Sequence, residues 1–181
     1  MLTIKTNDQY TRQDYVKISI LIAVLTSLGV IFSLVDKQIS YLIFPFLPTA
    51  KIGLANIVIL LGILSFGFKE SLIMTILKST LVSLILGNIV AFVIGFTASM
   101  MALISMWLTK RFLKDKVSCV GISVVGGFFH ILGQLLVTYF VYSLGMVILI
   151  YGAFLIALSL VTSIIIGLIT NKLNQYLCYI M

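Results

Sequence analysis

Residues 117–142 read VSCVGISVVGGFFHILGQLLVTYFVY. No side chain in this run carries a full charge, and the run exceeds the roughly 20 residues that a helix needs to cross a hydrocarbon core. Its few polar and small residues are not scattered. Ser123, Gly127, His130, Gln134 and Thr138 fall at i, i+4, i+7, i+11 and i+15, on one narrow stripe of a helix. Such a helix shows apolar surface over most of its circumference and a polar seam to its neighbours, so it belongs in a membrane-embedded bundle.

The rest of the chain repeats the theme. Further apolar runs lie at residues 16–34, 52–68, 71–86, 89–108 and 146–169, which makes six predicted spans. The breaks between them are Asp36-Lys37-Gln38, Lys69-Glu70, Gly87-Asn88, the basic stretch 110–116 and Ser143-Leu144-Gly145. Gly87-Asn88 separates two spans or bends a single helix. The whole is one integral membrane domain over residues 1–181: a polar tail at 1–15, a six-helix all-α bundle at 16–170 and a second tail at 171–181. No cleavage site follows the first apolar run, so the N-terminal tail is expected to be retained. In a chain of 181 residues, 61% hydrophobic and 9% charged composition with a mean hydropathy of +1.24 excludes a soluble enzyme, a nucleic-acid module and a disulfide scaffold. The net charge of +7 is distributed between apolar runs and forms no patch for nucleic acid. Cys119 and Cys178 are expected to remain reduced, and they lack the partners of a zinc site.

Orientation follows from the cations. With the N-terminus inside, Lys5, Arg12, Lys17, Lys69, Lys110, Arg111, Lys114, Lys116 and Lys172 face the cytoplasm, 9 of the 12; Lys37 and Lys51 face outward and Lys78 lies within a span. Both termini are then cytoplasmic in a multi-pass protein of the bacterial inner membrane. Residues 39–48, which hold the only two prolines, are too short to cross and form a connector or lid on the outer face.

Ionisable residues inside spans cost roughly 2.5 to 3.5 kcal/mol on insertion scales and mark cavities or partners. Ser71, Thr75 and Lys78 share one helix face at i, i+4 and i+7. Lys51 stands at the start of the second span, where a helix dipole already favours anions, with Asn56 little more than one turn deeper. With His130 and Gln134 these residues converge on the outer half of the bundle: Lys51 and Lys78 to hold an anion, Asn56, His130 and Gln134 to orient the remainder. The five acids, Asp8, Asp14, Asp36, Glu70 and Asp115, fall in tails or loops, so the two lysines are expected to lack an internal counterion. Small residues recur at Ser19, Ala23 and Ser27 and at Ala91, Gly95, Ser99 and Ala102, ridges suited to helix packing or to docking.

The chain has no P-loop, no aspartate pair at helical spacing to hold magnesium on a diphosphate, and no nucleophile with a partner base. It is read as non-enzymatic, without cofactor or metal.

Pro48-Thr-Ala-Lys51-Ile-Gly53-Leu-Ala-Asn56, the Lys78-bearing third span ending at Gly87-Asn88, and Gly126-Gly127-Phe-Phe-His130-Ile-Leu-Gly-Gln134 together resemble the Gx transporter family, also labelled heptaprenyl diphosphate synthase component I, over about residues 16–170. That family is similar to the substrate-binding S components of energy-coupling factor (ECF) importers. The resemblance implies a six-helix fold that captures a small anionic nutrient or vitamin-like molecule from outside under the loop after helix one. It also implies partners: a transmembrane coupling subunit that meets a small-residue motif on helix one, here Ala23 and Ser27, and two ATPases. A second reading is a non-catalytic membrane accessory subunit in polyprenyl diphosphate or quinone metabolism. A third is an assembly subunit without a ligand, in which the polar residues bridge to one another.

Overall fold

The computed structural model describes residues 12–43, 51–142 and 147–180, and every regular element among them is helical. In chain order the helices are α1 (Arg12–Ile43), α2 (Asn56–Ser65), α3 (Phe68–Leu86), α4 (Ile89–Leu113), α5 (Cys119–Tyr142) and α6 (Val147–Ile180), with a 3₁₀ turn at Lys114–Lys116. Four of them, α1, α4, α5 and α6, are long and apolar enough to cross a membrane. Large apolar side chains stand exposed along them, among them Ile20, Val24, Ile31 and Val35 on α1 and Leu136 and Phe140 on α5. This is the surface that a lipid solvent requires and water penalises. The chain is therefore a membrane protein built of transmembrane helices.

Three boundaries differ from the sequence expectation. First, α1 runs through Asp36-Lys37-Gln38 to Ile43. None of those residues breaks a helix, and Asp36 turns inward, where other backbone satisfies it. Second, the run at 52–68 yields only a ten-residue helix, α2. At about 1.5 Å per residue this covers some 15 Å, half of a bilayer core. Residues 51–55 before it are not helical; Gly53 adopts φ 97°, a conformation that stops the helix from beginning sooner. Third, residues 171–180 continue α6 instead of forming a tail. Leu177 from that extension packs beneath α2 on the cluster of Leu25, Val58, Leu61, Met74 and Ile166. Of the predicted N-terminal tail, residues 12–15 are already helical, and residues 1–11 lie outside the described residues.

The break at Gly87-Asn88 is real. Gly87 ends α3 in the left-handed conformation at φ 58°, and Asn88 caps α4 by accepting from the Val90 and Ala91 N–H groups at 2.9 and 3.1 Å.

Packing centres on α2. Residues Asn56 through Ile63 are all buried, as expected of a helix apolar on every side. Its last carbonyls are capped from α4: the Lys110 ammonium donates to Ile63 O at 2.6 Å and Leu64 O at 3.4 Å. The N-terminus of α2 consequently ends inside the bundle, level with the middle of α5, and non-helical backbone enters at that depth. Backbone of this kind is tolerated only where protein satisfies it or where it lines a cavity.

Candidate functional site

Three amides of the non-helical segment find side-chain acceptors. Asp36 on α1 takes Ile52 N–H on Oδ1 at 2.9 Å and Gly53 N–H on Oδ2 at 2.8 Å, and Gln134 Oε1 on α5 takes Lys51 N–H at 3.2 Å. Asp36 is 1% exposed. The expectation that no carboxylate accompanies the two lysines is thus overturned: Asp36 lies in a helix, and within electrostatic range of both Lys51 and Lys78. A cluster of backbone donors makes this burial affordable.

Beside that junction lies a cavity bounded by α1, the 51–55 segment, α3 and α4, with His130 of α5 also on its wall. The space that the centre of a water molecule can reach is about 20 Å³, and the wider empty volume with its open mouth is about 420 Å³. Lys51, Lys78 and His130 all line it. Asn56 and Gln134 stand behind the wall. Gln134 fixes the backbone of Lys51, while the Asn56 amide nitrogen lies 3.0 Å from where a Cβ on Gly53 would sit. The five predicted residues therefore come together, three on the cavity, Gln134 bonded to its backbone and Asn56 buried behind Gly53.

Lys78 is 4% exposed and does not reach for headgroups. Its stem crosses α1 at Gly29, whose missing Cβ would lie 3.3 Å from Lys78 Cδ, and its ammonium donates to Ser99 Oγ on α4 at 2.9 Å. The Lys51 ammonium rests against α4 at Gly95, where a Cβ would come within 2.8 Å of Nζ. Two members of the α4 ridge, Gly95 and Ser99, thereby serve the cavity instead of helix docking.

All five residues of the α5 stripe are buried. Neither ring nitrogen of His130 makes a hydrogen bond of good geometry among the described residues, nor do the Asn56 amide atoms or the Ser79 and Ser123 hydroxyls. Unpaired buried groups cost roughly 1 to 3 kcal/mol each and are rare without a reason. Here His130 and Ser79 belong to residues that line the cavity, and their unpaired atoms are buried at its wall.

Sequence reasoning missed Asp36, Ser33, Ser99 and the aromatic pair Phe92 and Phe96, which also line the cavity. The signal for the first two was present: Gly29, Ser33, Asp36 and Ser40 repeat at i, i+4, i+7 and i+11 and are all buried. Of the segment 39–48 expected to form a connector or lid, residues 39–43 belong to α1, with Tyr41 exposed at its end; Phe44, Phe46 and both prolines lie outside the described residues. On another face of α1, Ser19, Ala23 and Ser27 are exposed.

Residues 25–173 match the family model described as heptaprenyl diphosphate synthase component I. No curated protein and no solved structure matches the chain.

Proposed function

The chain belongs to the heptaprenyl diphosphate synthase component I family, and on that premise we propose that it is the membrane-embedded substrate-binding subunit of an ECF-type importer, capturing a small anionic nutrient at the extracellular face. One observation carries the reading. Two lysines, both drawn away from lipid, converge on one partly open cavity, and two further polar side chains on its wall, Ser79 and His130, make no hydrogen bond of good geometry among the described residues. An ammonium held in a low-dielectric interior is costly unless it serves a counter-charge, and Asp36 offsets only one of the two. The N-terminus of a half-helix opening at mid-bundle is also a recurring way for membrane transporters to build a substrate site.

The cavity mouth lies at the end of the bundle where α3 passes into α4. Arg12, Lys17, Lys69, Lys110, Arg111, Lys114, Lys116 and Lys172 lie toward the other end, by their positions near helix ends. The charge bias puts that basic end, and both termini, in the cytoplasm of a bacterial inner membrane. The exposed ridge of Ser19, Ala23 and Ser27 then serves as the face for the coupling subunit, which works with two ATPases. The Ser27 hydroxyl folds back on Ala23 O at 2.9 Å, which leaves a small surface at that turn of the ridge, suited to close helix approach. In this role the chain binds and releases without catalysing a reaction.

Replacing Lys78 with Met is expected to weaken ligand binding tenfold or more, about 1.4 kcal/mol, while thermal stability holds or rises because a buried charge has gone. Titration of the ligand that co-purifies with the detergent-solubilised protein, identified by native mass spectrometry, measures this. Unchanged affinity removes the site. The family description favours a second reading, a non-catalytic accessory subunit whose cavity takes an isoprenoid diphosphate head group. A co-purifying lipid with its tail between helices would support that role over uptake.

A further inference from the structure

The chemistry of the captured molecule can be narrowed, on the premise that the cavity is a ligand site. Asp36 is the reason. Its two oxygens hold the Ile52 and Gly53 amides in the segment that leads into α2, and the first amides of the helix itself, Asn56, Ile57 and Val58, are bonded to the carbonyls of Gly53, Leu54 and Ala55, so the N–H groups with which a helix start cradles phosphate are occupied. The anion at that place is supplied by the protein itself. A phosphate or diphosphate entering the cavity would find those donors taken and a like charge beside it, and repulsion is strong where water is scarce.

The charges on the wall set a second limit. With both lysines protonated and Asp36 ionised, two ammonium groups against one carboxylate leave a single positive charge, which one carboxylate on the ligand neutralises. Each oxygen of Asp36 still has a free lone pair after accepting one amide, and it can receive a hydroxyl or ammonium from the same ligand. The cavity is narrow, with only about 20 Å³ open to the centre of a water molecule, which favours a compact polar head. Phe92 and Phe96, stacked at 5.5 Å with their planes 19° apart, add aromatic surface to the cavity lining, which suits an aromatic or aliphatic body.

We propose that the cavity takes a monocarboxylate bearing a hydrogen-bond donor on the neighbouring carbon and an apolar or aromatic remainder. The carboxylate lies between Lys51 and Lys78, the donor on Asp36, and the remainder along Phe92 and Phe96.

The test is calorimetric titration of the purified full-length protein with mandelate, phenylalanine, phenyl phosphate and inorganic diphosphate. Mandelate or phenylalanine is expected to bind at least about tenfold more tightly than either phosphate compound. Asp36→Asn, once thermal unfolding shows that it folds, should shift the preference toward phenyl phosphate by about tenfold, since the like charge is gone. The ranking in the unaltered protein needs no variant and decides alone if this one does not fold. Phosphates that bind as tightly as the carboxylates overturn the inference, as does a folded Asp36→Asn with unchanged preference, or a protein that binds neither carboxylate below about 10 mM. Phosphate binding that Lys78→Met abolishes would sink the carboxylate assignment and leave anion capture standing. Absence of all binding, with Lys78→Met indistinguishable from the parent against the co-purified ligand, would remove both.

Discussion

Two seams of this bundle use glycine to opposite ends. Along α4, α5 and α6 the missing Cβ atoms let backbone approach backbone. A Cβ on Gly133 would lie 3.1 Å from Ala98 Cα, one on Gly167 only 2.5 Å from Val120 Cα, and one on Gly127 would collide with the Ser163 hydroxyl. Along α1, α3 and α4 the space opened by glycine is filled by charged side chains instead, Lys78 against Gly29 and Lys51 against Gly95. In lipid no hydrophobic force drives helices together, so close contact between small residues has to hold them. The first seam does this, backbone against backbone at Gly133 and Gly167. The second gives up helix contact to house two cations, and only there can the contents of the interface change without moving the helices.

The sharpest way to break this contrast is Gly167→Ala. Its new methyl meets backbone, which cannot rotate away, so α5 and α6 must part. Overpacking of this kind costs about 1 to 3 kcal/mol, and thermal unfolding in detergent should fall accordingly while ligand affinity of the folded protein holds. An unchanged melting temperature would mean that backbone contact does not hold the closed seam. A smaller loss is expected at the joint of the open seam. Asn88→Ala removes the cap that accepts from Val90 and Ala91, a change worth about 1 kcal/mol. Hydrogen exchange should quicken over the first turn of α4 and leave α5 as it was.

The two seams were also unequally legible in the sequence. The α5 stripe stood out because its polar residues sit in an uninterrupted apolar run, and periodicity alone assigned all five to the interior. The stripe on α1 has the same spacing, yet Asp36 is followed by Lys37 and Gln38, and three polar residues in a row read as the end of a span. What reverses that reading is non-local: the amides that solvate the carboxylate come 16 and 17 residues later in the chain. The half-length of α2 was hidden for a related reason. Hydropathy measures whether residues 52–68 can sit in lipid and is silent on where helix begins; the positive φ of Gly53 decides that. The predicted site residues were found by the cost of their burial, a property of the side chain itself. Ser99, Phe92 and Phe96 were not, because on an apolar helix serine and phenylalanine cost little wherever they face.

Gly95→Ala separates the two uses of glycine most finely. By distance it looks like Gly167→Ala, since its Cβ would come within 2.8 Å of another atom. That atom, however, is the tip of a lysine with four rotatable bonds, not a Cα fixed in a helix. The ammonium can swing aside at a cost of a few tenths of a kcal/mol, within the ±0.5 kcal/mol expected of changes away from packed backbone, so the melting temperature should scarcely move. The position of the charge does move, and the proposed carboxylate loses part of its seat. A drop in affinity of about threefold to tenfold, or about 0.7 to 1.4 kcal/mol, with unaltered stability is the expected pair of readouts. Equal damage to stability and binding would instead place Lys51 in the packing of α4, and the open seam would then be a second closed one.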